Sequence, residues 1–366
     1  MKIICDKYLL CDALSGVSRA VSSKSAIPIL EGILIKATPG QIMLTGYDLE
    51  IGITTIIEAK VLEEGDIVLS SKLLGDMVRR LDSEEVTIES LENMATTIKG
   101  GITEFNIMGM NSSEFPEIPS TGADPAITIN SKTLKNMIDC TIYAVSMDDK
   151  KPAHTGELFV LEKDKLTLVA LDGFRLAICE RPVVSTREIR IVIPQKTMQE
   201  ISRLIVDEDA DIEICANRRY VVVTIGEYTV LSRLIEGDFL DFQRVVPQEF
   251  STRVIIDTKD FIESIERASL IITERLKEPL RITFGKNVLI RCQTALGKVS
   301  DELDAEIQGN SLEIGFNNRY LLDALRNAKC EKIVMEMTGA LSPVKILPIE
   351  GNDFIYLVLP VRFKND

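Results

Sequence analysis

His154 is the one histidine in this 366-residue chain, so imidazole acid/base chemistry near neutral pH has a single candidate. Asp172 with Arg175 could pair an acid with a cation, and the run Asp207, Glu208, Asp209, Asp211 concentrates carboxylates. A run of that kind is more simply a solvated loop. The seven cysteines (Cys5, Cys11, Cys140, Cys179, Cys215, Cys292, Cys330) are odd in number and scattered, with no C-x-x-C pair and no histidine cluster to complete a metal site. Reduced, mostly buried thiols are expected. The sequence has no G-x-S-x-G, no G-x-x-x-x-G-K-[ST], no G-x-G-x-x-G after a strand and no H-E-x-x-H. The residues able to do chemistry therefore point to a binding protein, with no catalytic residue, cofactor or metal expected.

The elements that must position such residues are amply supplied. With 45% hydrophobic and 27% charged residues, the chain has apolar material for two or three cores. No apolar run approaches the ~18 to 20 residues that span a bilayer. The N-terminus carries Asp6 and Lys7 where a signal peptide needs an apolar block, so a cytoplasmic protein is expected. A net charge of −14 argues against nucleic acid unless the charge is unevenly distributed.

A threefold internal repeat organises the chain. IICDKYLLCDALSGVSRAV from Ile3, ITINSKTLKNMIDCTIYAV from Ile127 and VIIDTKDFIESIERASLII from Val254 each pass from a β-branched run through a Lys into a helical stripe, 124 and 127 residues apart. The stripes are Leu10, Leu14, Val17, Val21; Leu134, Ile138, Thr141, Val145; and Phe261, Ile265, Ala268, Ile272. A second helix recurs as SKLLGDMVRRL from Ser71, QKTMQEISRLI from Gln195 and NRYLLDALRNA from Asn318, each followed by an alternating strand at Glu84, Ala210 and Glu331. The turn around Phe115 matches that around Phe239. Linker composition near 121 and 248 places three domains at 1–121, 122–248 and 249–366, of the α+β class, with two helices on antiparallel sheets in each.

Charge is distributed by element. The six predicted helical segments (7–20, 71–81, 131–145, 195–205, 258–272, 318–329) sum to +6, which leaves −20 for the rest. Lys72 and Arg79, Lys196 and Arg203, and Arg319 and Arg326 sit seven residues apart, two turns along one helix face. If these helices line one surface, diffuse phosphate contacts without base readout would hold a duplex yet let it slide.

The segments AIPILEGILI from Ala26, LTGYDLEIGI from Leu44, LVALDGFRLAICE from Leu168, GDFLDFQRVVP from Gly237, EIGFNNRYLLDALRNAKCE from Glu313 and LVLPVRF from Leu357 resemble, in order and along essentially the whole chain, the bacterial sliding clamp family, the DNA polymerase III beta subunits. That resemblance implies a head-to-tail homodimeric ring of six domains and twelve helices. Twelve helices of ~10 Å diameter give a bore of about 35 to 40 Å, wide enough for duplex DNA. The implied function is a processivity factor that encircles DNA without sequence preference and tethers the replicative polymerase subunit, the clamp loader, other polymerases and mismatch-repair proteins through a short linear motif. The alternative is a tandem-repeat protein-interaction scaffold that does not encircle DNA.

By the same resemblance, a hydrophobic peptide pocket would be walled by His154, Leu171, Gly173, Phe174, Arg175, Leu176, Leu240, Arg244, Val245, Asn317, Tyr320, Leu341, Pro343, Leu357, Leu359 and Val361. Plain core packing is the competing reading for Leu171, Leu176 and Val245. His154 and Leu240 stand where an aliphatic residue and a Pro are common in relatives, and the tail runs on through Lys364, Asn365 and Asp366. DNA-facing candidates are Lys24, Lys72, Arg79, Lys150, Lys151, Lys196 and Arg203. Ring closure would join Phe105 and Ile107 to Leu270 and Ile271 of the partner protomer.

Overall fold

The computed structural model describes residues 1–122, 125–206, 209–273, 278–351 and 353–363. Asp207, Glu208, Lys364, Asn365 and Asp366 lie outside the described residues. Six α-helices are present among the described residues: α1 (Lys7–Val17), α2 (Ser71–Arg80), α3 (Ser131–Thr141), α4 (Gln195–Leu204), α5 (Thr258–Ser269) and α6 (Asn318–Ala328). Capping residues set where several begin. Asp6, Asp257 and Asn317 accept the N–H of Leu9, Asp260 and Arg319 at 2.9, 3.0 and 3.0 Å, satisfying donors that the first turn leaves open.

The predicted stripes bury where the periodicity places them. Leu10, Leu14 and Val17, then Leu134, Ile138 and Thr141, then Phe261, Ile265 and Ala268 are all buried. The fourth position of each predicted stripe lies outside its helix, because α1, α3 and α5 end before Val21, Val145 and Ile272. A hydroxyl at each end bonds the carbonyl four residues back: Ser18 to Leu14 at 2.5 Å, Thr141 to Met137 at 2.9 Å and Ser269 to Ile265 at 2.6 Å. Such bonds compete with continuation of the backbone ladder. Short 3-10 turns, Ser18–Ala20 and Ile142–Ala144, then carry Val21 and Val145 onward in extended conformation.

Every strand pairing is antiparallel, and the chain divides into two compact units. Unit 1 comprises Met1–Leu134 with Lys196–Leu234, and unit 2 comprises Lys135–Gln195 with Ile235–Asp366. In unit 1 a five-stranded sheet runs Lys60–Glu63, Lys2–Asp6, Glu85–Ser90, Ala95–Gly100, Thr103–Met108. An eight-stranded sheet runs Ile127–Asn130, Asp211–Ala216, Tyr220–Ile225, Tyr228–Arg233, Ile51–Glu58, Gln41–Tyr47, Gly32–Thr38, Gly65–Ser70. The pairing of Tyr228–Arg233 with Ile51–Glu58 joins the first and second repeats in one sheet.

Unit 2 repeats the device. Its nine-stranded sheet runs Ile189–Pro194, Gly156–Glu162, Lys165–Leu171, Arg175–Pro182, Phe354–Val358, Val344–Pro348, Lys332–Met337, Thr252–Asp257, Glu306–Gly309. A four-stranded sheet runs Gly297–Leu303, Val288–Thr294, Leu280–Phe284, Leu312–Phe316. Under these sheets lies a large apolar core, where Phe261, Phe284, Phe316 and Tyr356 are fully buried. A carboxyl is buried in unit 2 as well. Glu157 on the strand Gly156–Glu162 has Oε1 hydrogen-bonded to the Thr141 hydroxyl at 2.6 Å and Oε2 without a protein partner. Burial pushes its pKa up to about 8, against a hydrogen bond that lowers it.

Candidate functional site

The strand Arg175–Pro182 lies between Lys165–Leu171 and Phe354–Val358, so Leu176 faces Leu171 on one side and Leu357 on the other. The turn before it is fixed by Asp172, whose Oδ1 accepts the N–H of Phe174 at 2.9 Å and of Arg175 at 3.0 Å. Gly173 takes φ +91° there, a conformation that costs glycine little. The turn throws Phe174 outward, leaving it 57% exposed while its ring stacks on Tyr320 of α6 at 5.8 Å.

Arg175 is committed to its own protein. Its Nε donates to Asp172 Oδ2 at 2.9 Å, its Nη1 donates to Asp323 of α6, and its guanidinium lies over the rings of Tyr320 and Tyr143 at 4.8 and 5.4 Å. With 12% of the side chain exposed, it works as a brace that ties the turn to α6. Burial raises the Tyr143 hydroxyl pKa well above its ordinary value.

The C-terminal segment completes the wall. Leu359 N–H donates to Phe174 O and Val361 N–H to Gly315 O, both at 2.8 Å, and Phe363 lies beneath the Arg281 guanidinium at 3.8 Å. A cleft of about 950 Å³ results. Phe174, Arg175, Asn317, Tyr320 and Val361 line it, five of the sixteen residues that the family resemblance implies for one pocket. Its size is that of a ligand or peptide cleft.

The remaining pocket candidates separate by burial. Leu171, Leu176 and Leu357 pack in an apolar core with Phe242 and Val192, and expose almost nothing. Leu240, Val245, Leu341 and Leu359 are exposed apolar residues, Pro343 is half-buried and Gly173 is exposed. Arg244 reaches solvent beside Asp241, with Nε 2.8 Å from its carboxylate. His154 sits in the 3-10 turn Pro152–Thr155 with its ring edge-on to Phe239 at 5.5 Å. Desolvation, then the nearby Lys151 charge, lowers its pKa from 6.5.

Sequence reasoning missed Asp323, which anchors Arg175. A lone acid in a basic helix reads as part of a solvated face, and the only signal was its place three residues before Arg326. The cationic candidates are exposed but unequal. Lys24, Lys72, Lys150 and Lys151 have no ion pair among the described residues, whereas Arg79, Lys196 and Arg203 contact Asp76, Asp48 and Glu200. Phe105 and Ile107 are half-buried on Thr103–Met108, the edge strand of its sheet. Leu270, just past α5, is 81% exposed, and Ile271 beside it is half-buried.

Residues 1–119, 128–241 and 243–362 match, in turn, the N-terminal, central and C-terminal domains of the DNA polymerase III beta subunit. A beta sliding clamp of Staphylococcus aureus is 30% identical over 361 residues, covering 95% of this chain and 96% of its own. The crystal structure of a DNA polymerase sliding clamp from Bacillus subtilis superposes with a TM-score of 0.97 at 31% identity over 99% of each chain. That of a putative DNA polymerase III beta subunit from Eubacterium rectale gives 0.96 at 34% identity over the full length of both.

Proposed function

Because the chain belongs to the DNA polymerase III beta subunit family, the beta sliding clamps, we propose that it closes as a homodimeric ring around duplex DNA. There it acts as a non-catalytic processivity factor in the cytoplasm. The observation that carries this reading is the match of three clamp domains in order along the chain, over residues 1–119, 128–241 and 243–362. No helix among the described residues is long and apolar enough to cross a membrane.

In this reading Phe105 and Ile107 of one protomer meet Leu270 and Ile271 of the other. A contact of that kind is heterologous at each junction and closes by twofold symmetry. Lys24, Lys72, Arg79, Lys150, Lys151, Lys196 and Arg203 supply diffuse phosphate contacts. The cleft beside Phe174, with the exposed apolar residues Leu240, Val245, Leu341, Leu359 and Val361, takes the short linear motif of the polymerase subunit, the clamp loader, other polymerases and mismatch-repair proteins. Two or three apolar anchors in a preformed cleft are enough for useful affinity.

The decisive experiment loads the protein on nicked circular DNA and then linearises the circle. A ring held by topology stays on the circle and is lost from the linear product. Retention on linear DNA, or no retention on the circle, would favour a scaffold that does not encircle DNA.

A further inference from the structure

Helix α4 carries two of the cations assigned to DNA, and each is held by a carboxylate with little exposure. Asp48 Oδ2 lies 2.5 Å from Lys196 Nζ. Its other oxygen accepts the N–H of Glu50 and Ile51 at 3.0 and 2.8 Å, so the acceptor is fixed from behind by its own turn. Glu200 has 8% of its side chain exposed and contacts Arg203 Nη1 through Oε1 at 2.5 Å and Arg19 Nη1 through Oε2 at 3.1 Å. On α2, Arg79 Nη2 donates to Asp76 Oδ1 at 2.7 Å. An acid three residues before the distal basic residue recurs in the sequence of every repeat, as Asp76 before Arg79, Glu200 before Arg203 and Asp323 before Arg326, although in the third Asp323 holds Arg175 and Arg326 Nη2 donates to Glu266 Oε1 at 2.7 Å. That spacing places both on one helix face.

We propose that Asp48, Asp76 and Glu200 are acidic tethers that hold Lys196, Arg79 and Arg203 back from phosphate and so weaken the grip of the protein on duplex DNA. The proposal rests on the reading of α2 and α4 as a DNA-facing surface. A tethered cation can reach phosphate only by exchanging one anion for another, so it gains little. A cation such as Lys72, which has no ion pair among the described residues, gains the full release of a counterion, which steepens the plot of log affinity against log salt by about 0.9 per contact. A protein retained on DNA by topology needs only weak attraction, and every strong contact would have to be broken at each step along the duplex.

The test measures binding of the full-length protein to a fluorescein-labelled duplex across a salt series, with folding checked by circular dichroism. Asp48→Asn, Asp76→Asn and Glu200→Gln keep the side-chain shape and remove the charge. Each should bind more tightly at low salt and with a steeper salt slope, by about 0.9 for each cation released onto phosphate. The gain of Asp76→Asn should vanish when Arg79→Gln is present. Variants that match the parent would overturn the tethers, as would a gain that survives in the Arg79→Gln background, which would mean the acid acts through the general field. If Glu200→Gln fails to fold, Asp76→Asn decides, because both partners of that pair are about half exposed. A quadruple Lys72→Gln, Arg79→Gln, Lys196→Gln, Arg203→Gln protein that binds like the parent would remove the DNA-facing surface itself, and the tethers with it. Loss of binding in the quadruple with unchanged acid variants would remove the tethers alone.

Discussion

Replacing Glu157 with Gln should flatten the pH dependence of stability on the alkaline side of pH 5. The folded carboxyl has its pKa raised from 4.5 to about 8 because it is buried with only the Thr141 hydroxyl against one oxygen. The folded state therefore keeps a proton that the unfolded chain has released. This contribution is fully present below the unfolded pKa, declines as pH rises, and is exhausted above the folded pKa. The gap from 4.5 to about 8 corresponds to on the order of 5 kcal/mol across the whole interval, and to on the order of 3 kcal/mol between about pH 5.5 and about pH 7.5. Gln carries no charge in either state and has no such slope. The assay is urea unfolding of parent and Glu157→Gln followed by far-UV circular dichroism, which suits a chain that lacks tryptophan. The parent should lose stability relative to the variant as pH is raised over that range, while every other titrating group cancels in the difference. Parallel curves for the two proteins would refute the argument and mean that Glu157 ionises in the folded state at an ordinary pH.

Two further outcomes are expected. Changing both Leu270 and Ile271 to Asp should give folded monomers by sedimentation, because a charge at each position removes apolar burial and adds desolvation at the proposed closure; an intact dimer would exclude that surface. A peptide of the Gln-Leu-x-Leu-Phe type should bind more weakly as His154 becomes protonated, and because its pKa is lowered from 6.5 the loss should appear only below that pH and disappear in His154→Leu, with equal affinity on both sides of the transition removing His154 from the cleft.

The helices were legible because their apolar residues repeat every three or four positions, and Leu10, Leu134 and Phe261 bury as that period requires. Helix ends were less so, since the stripe continues past Val17 and Thr141 although a back-bonding hydroxyl has already stopped the helix. The sheets were legible as alternating strands but not as partners. Nothing in the local pattern of Tyr228–Arg233 says that it pairs with Ile51–Glu58 across more than a hundred and seventy residues, from Ile51 to Tyr228. Of the sixteen residues that the family resemblance put in one pocket, Phe174, Arg175, Asn317, Tyr320 and Val361 line the cleft and the others lie elsewhere, because sequence alone does not say which of them a turn will expose. The engagement of Arg175 by Asp323, and of Lys196 by Asp48, was hidden because a charged side chain in a helix or turn carries no mark of which distant partner it will meet.

The strand pairings that join neighbouring repeats bear on how the protein could be cut. Excised alone, the middle repeat would lose Ile51–Glu58 from one sheet and Phe354–Val358 from the other. Tyr228–Arg233 and Arg175–Pro182 would then be raw edges, offering a row of open N–H and C=O groups beside buried Val230, Leu231, Leu176 and Ile178. Such edges recruit other strands. A fragment bounded by the sequence linkers should therefore aggregate, or scavenge a strand from another copy, although each linker looks like a natural place to divide the chain.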